Sequence, residues 1–234
     1  MTEVPSGGGP LAYVTDLDAP TLSDEDHHHL ARVRRLRVGD ALVVGDGAGR
    51  WRTARFRDAS PEPDGDVEVV TRPEPEIGIA FALTKGDKPE LAVQKLVEVG
   101  VDVIRPFVAA RSIVRWDTAK AEAAHVRWTR VAVEAAMQSR RAWLPRVEHL
   151  AAFGDVAALP GACLADRIGT AAGSGPSLGR PLVLVGPEGG WDPAERAAGL
   201  PAIGLGPGVL RAETAAIVAG SLLAALRAGL VAPT

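Results

Sequence analysis

A change of pattern at a proline-rich break most constrains the fold of this chain. Before the break, residues 11–70 contain short β-rich runs and turn signals, which predict a small, mostly β domain. After it, apolar runs alternate with helical segments, a pattern typical of a parallel sheet covered by helices. We therefore predict an α/β protein with one domain over residues 1–72, a linker at 73–76 and a second domain over 77–234.

The composition excludes several classes of protein. Hydrophobic residues make up 47% and charged residues 24%, as in globular chains and unlike disordered ones. The single cysteine, Cys163, excludes an internal disulfide framework. We predict no signal peptide, no membrane span and a cytoplasmic location, since no basic N-terminal region or long apolar stretch is present. We also predict no metal, because the consecutive His27, His28 and His29 cannot easily share one ion.

Basic residues are clustered although the net charge is −3. Residues 105–146 carry 9 basic and 3 acidic side chains, a local charge of +6. Such a surface can bind phosphates, although a solvated helix face has the same composition. A long helix predicted over 117–139 carries one stripe formed by Arg127, Arg130, Glu134, Gln138 and Arg141. The candidate phosphate contacts are Arg32, Arg34, Arg35, Lys85, Lys88, Arg111, Arg130, Arg140 and Arg141.

A glycine-rich loop, VGPEGGW at residues 185–191, follows an apolar strand and precedes a helix start. Asp192, Pro193 and Glu195 form the expected sequence of N-cap, first-turn proline and capping glutamate. Open α/β sheets bind ligands at the carboxyl ends of their strands, and glycine lets the backbone approach a ligand closely. The loop therefore indicates a ligand site, or otherwise a tight strand-to-helix turn.

A second glycine loop, LGPGVLRAETA at residues 205–215, also lies between an apolar strand and a helix. It does not match a dinucleotide fingerprint, since the third glycine would fall on Val209 and too little chain follows. No phosphate-binding GxxxxGK[ST] motif is present. Two such loops predict a pocket of backbone amides and carbonyls that suits a neutral, adenosine-like ligand.

The two glycine loops resemble the paired C-terminal loops of the RsmE family, the 16S ribosomal RNA uridine-N3 methyltransferases of the SPOUT superfamily. TKGDK at 84–88, VEAAMQSRR at 133–141 and HHHLARVRRLRVGD at 27–40 resemble further blocks of that family, so the resemblance covers nearly the whole chain. One position departs from it: family members often have arginine where this chain has Gly208.

The resemblance implies a PUA-like β-barrel that binds RNA, followed by a SPOUT methyltransferase domain with a deep trefoil knot. It also implies a homodimer, S-adenosylmethionine as cofactor, and 16S rRNA or the assembled 30S subunit as substrate. The cofactor contacts carried over by position are Gly186, Pro187, Glu188, Gly189, Leu205, Gly206, Leu210, Arg211 and Thr214.

Three residues are candidates for the chemistry of methyl transfer to uridine N3. Arg211 could favour the imidate anion by lying near a uracil oxygen, and Glu188 or Glu213 could act as a base. The alternative function is a non-catalytic RNA-binding or ribosome-assembly factor, which need not bind S-adenosylmethionine.

Overall fold

The chain folds into two units, and the structure, a computed structural model, describes residues 4, 7–171 and 174–232. The first unit comprises Met1–Pro73 and Ala136–Leu144, and the second comprises Glu74–Ala135 and Pro145–Thr234. The sequence division assigned residues 136–144 to the second domain.

Segment 136–144 belongs to the first unit because hydrogen bonds attach it there. The Tyr13 hydroxyl donates to the Arg141 carbonyl at 2.6 Å, and the Trp143 indole N–H donates to the Val70 carbonyl at 2.9 Å. Local sequence pattern cannot reveal such contacts, since these partners lie far apart in the chain.

The first unit is built on a mixed sheet in the order β1-β2-β3-β4, with β5 also paired to β3. Its strands are β1 Leu11–Tyr13, β2 Ala41–Gly45, β3 Arg50–Arg55, β4 Glu62–Pro63 and β5 Glu68–Val69. Helix α1, Asp24–His28, starts after Ser23, whose hydroxyl accepts from the Asp26 N–H at 3.1 Å. A π-helical turn, His29–Val33, continues α1. The mostly β character predicted for this region is confirmed.

The second unit is built on a parallel sheet in the order β12-β10-β11-β6-β7-β8, with β9 also paired to β7. Its strands are β6 Gly78–Ala82, β7 Val103–Val108, β8 Arg146–Val147, β9 Ala151–Ala152, β10 Ala162–Ala165, β11 Leu182–Val185 and β12 Ala202–Ile203. Its helices are α2 Lys88–Glu98, α3 Thr118–Gln138 (whose last turn belongs to the first unit), α4 Phe153–Ala157, α5 Arg167–Ala171, α6 Pro193–Arg196 and α7 Ala212–Arg227. The predicted α/β class with a parallel sheet is confirmed.

Burial explains why the central strands read as continuous apolar runs. All residues of β6 and β11 are buried, which is expected for parallel strands covered on both faces. Helix α2 ends where Gly100 adopts φ +98°, a left-handed conformation that favours glycine. Asp87 occupies the N-cap position of α2, although its side chain makes no capping hydrogen bond.

Gly169 is buried in α5, where a Cβ would lie 2.2 Å from the Ile203 carbonyl carbon. Helix α7 is apolar along most of its length, but its Ile217 and Leu222 are only half-buried. No helix within the described ranges has the length and hydropathy needed to cross a membrane.

Candidate functional site

A cavity of about 260 Å³ lies in the second unit at the carboxyl ends of β10, β11 and β12. These three strands are neighbours and parallel, so the loops that follow them meet at one edge of the sheet. The lining residues are Ala165, Asp166, Arg167, Val185, Gly186, Pro187, Glu188, Gly190, Trp191, Arg196, Leu205, Gly206, Gly208, Val209, Leu210, Ala212 and Ala215. Both predicted glycine loops therefore contribute to one pocket.

The cavity brings together six of the nine predicted cofactor contacts, namely Gly186, Pro187, Glu188, Leu205, Gly206 and Leu210. Gly189, Arg211 and Thr214 are not among the lining residues. Gly189 lies against Arg111, whose Nη1 donates to the Gly189 carbonyl at 3.2 Å. Arg211 and Thr214 are exposed.

The first glycine loop packs tightly on a fixed aromatic side chain. A Cβ added at Gly186 would lie 3.0 Å from Cε2 and 3.1 Å from Cδ2 of Trp191. Trp191 is buried, stacks on Phe107 with ring centroids 6.1 Å apart, and donates its indole N–H to the Ala165 carbonyl at 2.9 Å. The indole therefore fixes both the path of the loop and one wall of the cavity.

A buried carboxylate holds the end of this loop. Glu195 accepts the Asp192 N–H at 2.9 Å, while Asp192 accepts the Ala194 N–H at 3.0 Å, which confirms the predicted capping box. The other oxygen of Glu195 accepts the Ala110 N–H at 2.8 Å. Helix α6 is thereby attached to the segment after β7.

An acid–base cluster borders the cavity. Lys88 Nζ lies 2.8 Å from Glu188 Oε1 and 4.0 Å from Glu213 Oε2. The hydrogen bond from Lys88 lowers the pKa of Glu188, and the same bond raises the pKa of Lys88. A carboxylate with a lowered pKa is a weaker base, so this geometry suits Glu188 for holding Lys88 rather than for accepting a proton.

The other two candidates for the chemistry occupy different environments. Arg211 takes the N-cap position of α7 and is exposed. The Glu213 side chain is 11% exposed, and its Oε2 has no hydrogen-bond partner among the described residues. A buried carboxylate oxygen without a hydrogen bond is costly, which makes Glu213 the stronger candidate for a contact with a bound molecule.

Replacing Lys88 tests the cause of the lowered pKa of Glu188. We expect Lys88→Met to raise that pKa towards the ordinary glutamate value. Because the folded-state pKa of Glu188 is depressed, the pair's contribution is present above the unfolded pKa and is lost as pH falls through the folded one. A carboxyl-detected NMR titration of Glu188 measures the shift.

The matched control is Lys95→Met, which removes a lysine paired with Glu98 at 2.8 Å on α2. This change should leave the titration of Glu188 unaltered. An unchanged Glu188 titration in Lys88→Met would contradict the assignment.

The basic residues of the first unit form two groups with different pairing. Arg50, Arg52, Arg55 and Arg57 each pair with a carboxylate, of Asp46, Asp18, Asp64 and Glu62 respectively. Arg32, Arg34 and Arg35 are exposed and make no ion pair within the part of the chain that the structure describes. The first of these groups is therefore neutralised locally, and the second presents unneutralised charge.

The predicted arginine stripe is wrong beyond Gln138, because α3 ends there and Arg140 adopts φ +57°. The Arg140 guanidinium donates to the carbonyls of Gly9 at 2.7 Å and Gly7 at 3.2 Å. Burial also lowers the pKa of Arg140. Arg140 thus has a packing role, and its predicted contact with RNA stays a prediction.

The remaining predicted basic contacts of the second unit differ in their pairing. Lys85 is exposed, Arg111 lies 3.6 Å from Asp192, and Arg130 lies 3.4 Å from Glu134. Arg141, in the first unit, is half-buried. None of these arrangements tests RNA binding, so these contacts stay predictions.

Sequence reasoning missed the third wall of the cavity. Asp166 and Arg167 follow β10, and the Asp166 carboxylate, 6% exposed, accepts from Arg196 Nε at 2.8 Å. The signal that could have found them is the apolar run of β10, since parallel strands end at the same edge of a sheet as the two glycine loops.

Comparison with known families identifies both parts of the chain. Residues 72–224 match the family described as RNA methyltransferase domain, and residues 22–63 match the RNA methyltransferase PUA domain. Ribosomal RNA small subunit methyltransferase E from Mycobacterium bovis is 35% identical over 87% of this chain and 86% of its own length. The Bacillus subtilis protein of the same name is 32% identical over 88% of this chain and 90% of its own length.

Two solved structures are similar to this chain over most of its length. The ribosomal RNA small subunit methyltransferase E of Neisseria gonorrhoeae bound to S-adenosyl methionine has a TM-score of 0.74 and 28% identity, covering 93% of this chain and 98% of its own. A Legionella pneumophila methyltransferase in complex with S-adenosylmethionine has a TM-score of 0.79 and 27% identity, covering 93% and 97%. The chain therefore belongs to the RNA methyltransferase family of the ribosomal RNA small subunit methyltransferase E proteins.

Proposed function

We propose that this protein is an S-adenosylmethionine-dependent methyltransferase that methylates N3 of a uridine in 16S rRNA of the small ribosomal subunit. The observation that carries the proposal is the cavity formed by three loops at the carboxyl ends of adjacent parallel strands, in a chain of this methyltransferase family. Family relatives in solved structures hold S-adenosylmethionine.

The residues present fit this cofactor. Gly206 lines the cavity at φ +123°, and a Cβ at Gly208 would meet nothing within 4 Å, so the second loop leaves open space for a ligand. Leu205, Val209 and Leu210 add apolar surface suited to a nucleobase. The polar pair of Asp166 and Arg196 offers hydrogen bonds to hydroxyl or charged groups.

The bound cofactor would supply an electrophilic methyl carbon carried on a sulfonium. The chain's contribution is to bind and orient: the glycine loops position the ligand, and Trp191 closes one wall against water. We propose that Glu213 Oε2 accepts the N3 proton of the uracil imide, and that a neighbouring cation, Lys88 or Arg211, stabilises the negative charge left on the ring. Uridine N3 lies on the pairing edge, so the target base must be unpaired or extruded.

We further propose the finer features that the family resemblance implies. They are a knotted SPOUT domain, a barrel-like PUA domain, a homodimer, action on 16S rRNA or the assembled 30S subunit, and work in the cytoplasm. Strand β11 lies between β10 and β6, both earlier in the chain, which supports a crossing connection. Half-buried Ile217 and Leu222 on α7 support a partner-covered face.

The test is transfer of tritiated methyl groups from S-adenosylmethionine into 30S subunits that lack uridine-N3 methylation, followed by nucleoside mass spectrometry. We expect label in 3-methyluridine. Cofactor binding without this product would point to another RNA target, and failure to bind the cofactor would favour a non-catalytic RNA-binding factor.

The unpaired arginines of the first unit make a separate prediction about RNA affinity. In Arg32→Gln/Arg34→Gln, we expect the slope of log affinity against log salt to fall by about 1.4, because each phosphate contact on single-stranded RNA contributes about 0.7. Filter binding of a 16S rRNA fragment at several salt concentrations measures the slope.

Arg55→Gln/Arg57→Gln is the matched control, since it removes the same charge from arginines already paired with Asp64 and Glu62. The control slope should change much less. Equal changes in both variants would mean that only net charge matters and would overturn the assignment.

A further inference from the structure

Three potential metal ligands meet in the second unit, away from the loops that line the cavity. Glu122 and His125 lie one turn apart on α3, and His149 lies in the segment between β8 and β9. One ligand atom from each of the three residues lies within 4.8 Å of the other two. In the described part of the chain, no other group of three or more His, Cys, Asp or Glu residues converges in this way.

The spacing of the ligands suits a helix-based site. Glu122 and His125 stand at i and i+3, which places both side chains on one face of α3. His149 Nδ1 lies 3.2 Å from Glu122 Oε2. When two ligand atoms each lie about 2.0–2.2 Å from one zinc ion in tetrahedral geometry, the distance between the two ligand atoms is close to this 3.2 Å.

A neighbouring carbonyl orients one of the imidazoles. His125 Nε2 lies 3.0 Å from the Val147 carbonyl oxygen, so the nitrogen donates a hydrogen bond as Nε2–H. The proton then leaves Nδ1 with a free lone pair. In histidines that bind a metal through one ring nitrogen, the N–H of the other nitrogen characteristically donates a hydrogen bond to a carbonyl or carboxylate.

We propose that Glu122, His125 and His149 bind a divalent transition metal of the zinc class. The ligand set is two imidazoles and one carboxylate, with the fourth tetrahedral position open to water. The ion would join α3 to the segment between β8 and β9. The local sequence around the consecutive histidines 27–29 predicts no metal, whereas folding brings His125 and His149 together.

The arrangement of the two imidazole rings constrains how the site can bind a metal ion. They stack with centroids 3.7 Å apart and planes 17° from parallel. In-plane lone pairs of stacked rings do not converge, so one ring must turn to bind the ion. His149 is 66% exposed and Glu122 is 59% exposed, which leaves both side chains room to turn. Metal binding therefore separates the two stacked rings, and both imidazoles then coordinate the ion.

The test is a titration of the full-length protein, stripped with EDTA and dialysed, with Co²⁺ and then Zn²⁺. We expect one Co²⁺ per chain with the intense visible absorption of a tetrahedral ion, displaced by Zn²⁺. A hundredfold excess of Zn²⁺ over its Kd should raise Tm by about 5–10 °C. His149→Gln and Glu122→Gln should each weaken binding at least tenfold while leaving the Tm of the metal-free protein nearly unchanged, since both positions are exposed.

The control is His28→Gln/His29→Gln, because the chain's five histidines also include the run at 27–29. This variant should bind Co²⁺ like the parent protein. Loss of binding in the control but not in His149→Gln would overturn the proposal by assigning the ion to the histidine run. Absence of a saturable cobalt spectrum in the parent protein would overturn it as well. Neither readout depends on methyl transfer, so failure here is distinguishable from failure of the proposed function.

Discussion

Gly186→Val is expected to weaken S-adenosylmethionine binding about 100-fold while the protein remains folded. Even a single Cβ at this position would lie 3.0 Å from Trp191 Cε2, and valine adds two further methyl groups. The indole cannot yield, because it stacks on Phe107 and donates its N–H to the Ala165 carbonyl. The loop must move instead, and overpacking of this kind costs about 1–3 kcal/mol.

Isothermal titration calorimetry with S-adenosylmethionine measures this effect, and thermal unfolding reports the state of the fold. Gly154→Val is a suitable control, because Gly154 is exposed on α4 and a Cβ there meets nothing within 4 Å. Parent-like affinity in Gly186→Val would show that this loop does not shape the cofactor site.

Local signals in the sequence predicted much of the fold and part of the cavity. The capping box at Asp192 and Glu195 is present as expected, because capping depends on residues within one helical turn. The two glycine loops meet in one cavity because parallel strands end at a common edge of their sheet. Each of these features follows from neighbours along the chain or from a general rule of topology.

Features that depend on contacts between distant residues were not predictable in the same way. The Lys88 ion pair with Glu188 joins α2 to a loop one hundred residues later. The packing role of Arg140 depends on the carbonyls of Gly7 and Gly9.

Arg227→Met is expected to destabilise the second unit by about 3–5 kcal/mol, because it would leave a buried carboxylate without its partner. The side chains of Arg227 and Asp102 are 11% and 8% exposed, and their ion pair joins the end of α7 to the start of β7. The Arg227 guanidinium also donates to the Gly100 carbonyl at 2.8 Å. Asp102 in turn accepts the Ile77 N–H at 3.0 Å.

Urea unfolding followed by circular dichroism measures the loss, and Lys95→Met is the comparison, since its partly exposed pair with Glu98 should contribute no more than about 1 kcal/mol. The double variant Arg227→Met/Asp102→Asn distinguishes the cause. Removing the charge of Asp102 relieves the unpaired carboxylate and should restore part of the lost stability, whereas a loss due to missing packing would persist. A free energy of unfolding for Arg227→Met within 1 kcal/mol of the parent, roughly the value of an exposed pair, would mean that water reaches this pair. In that case α7 would be held by its apolar contacts with α2 and the sheet alone.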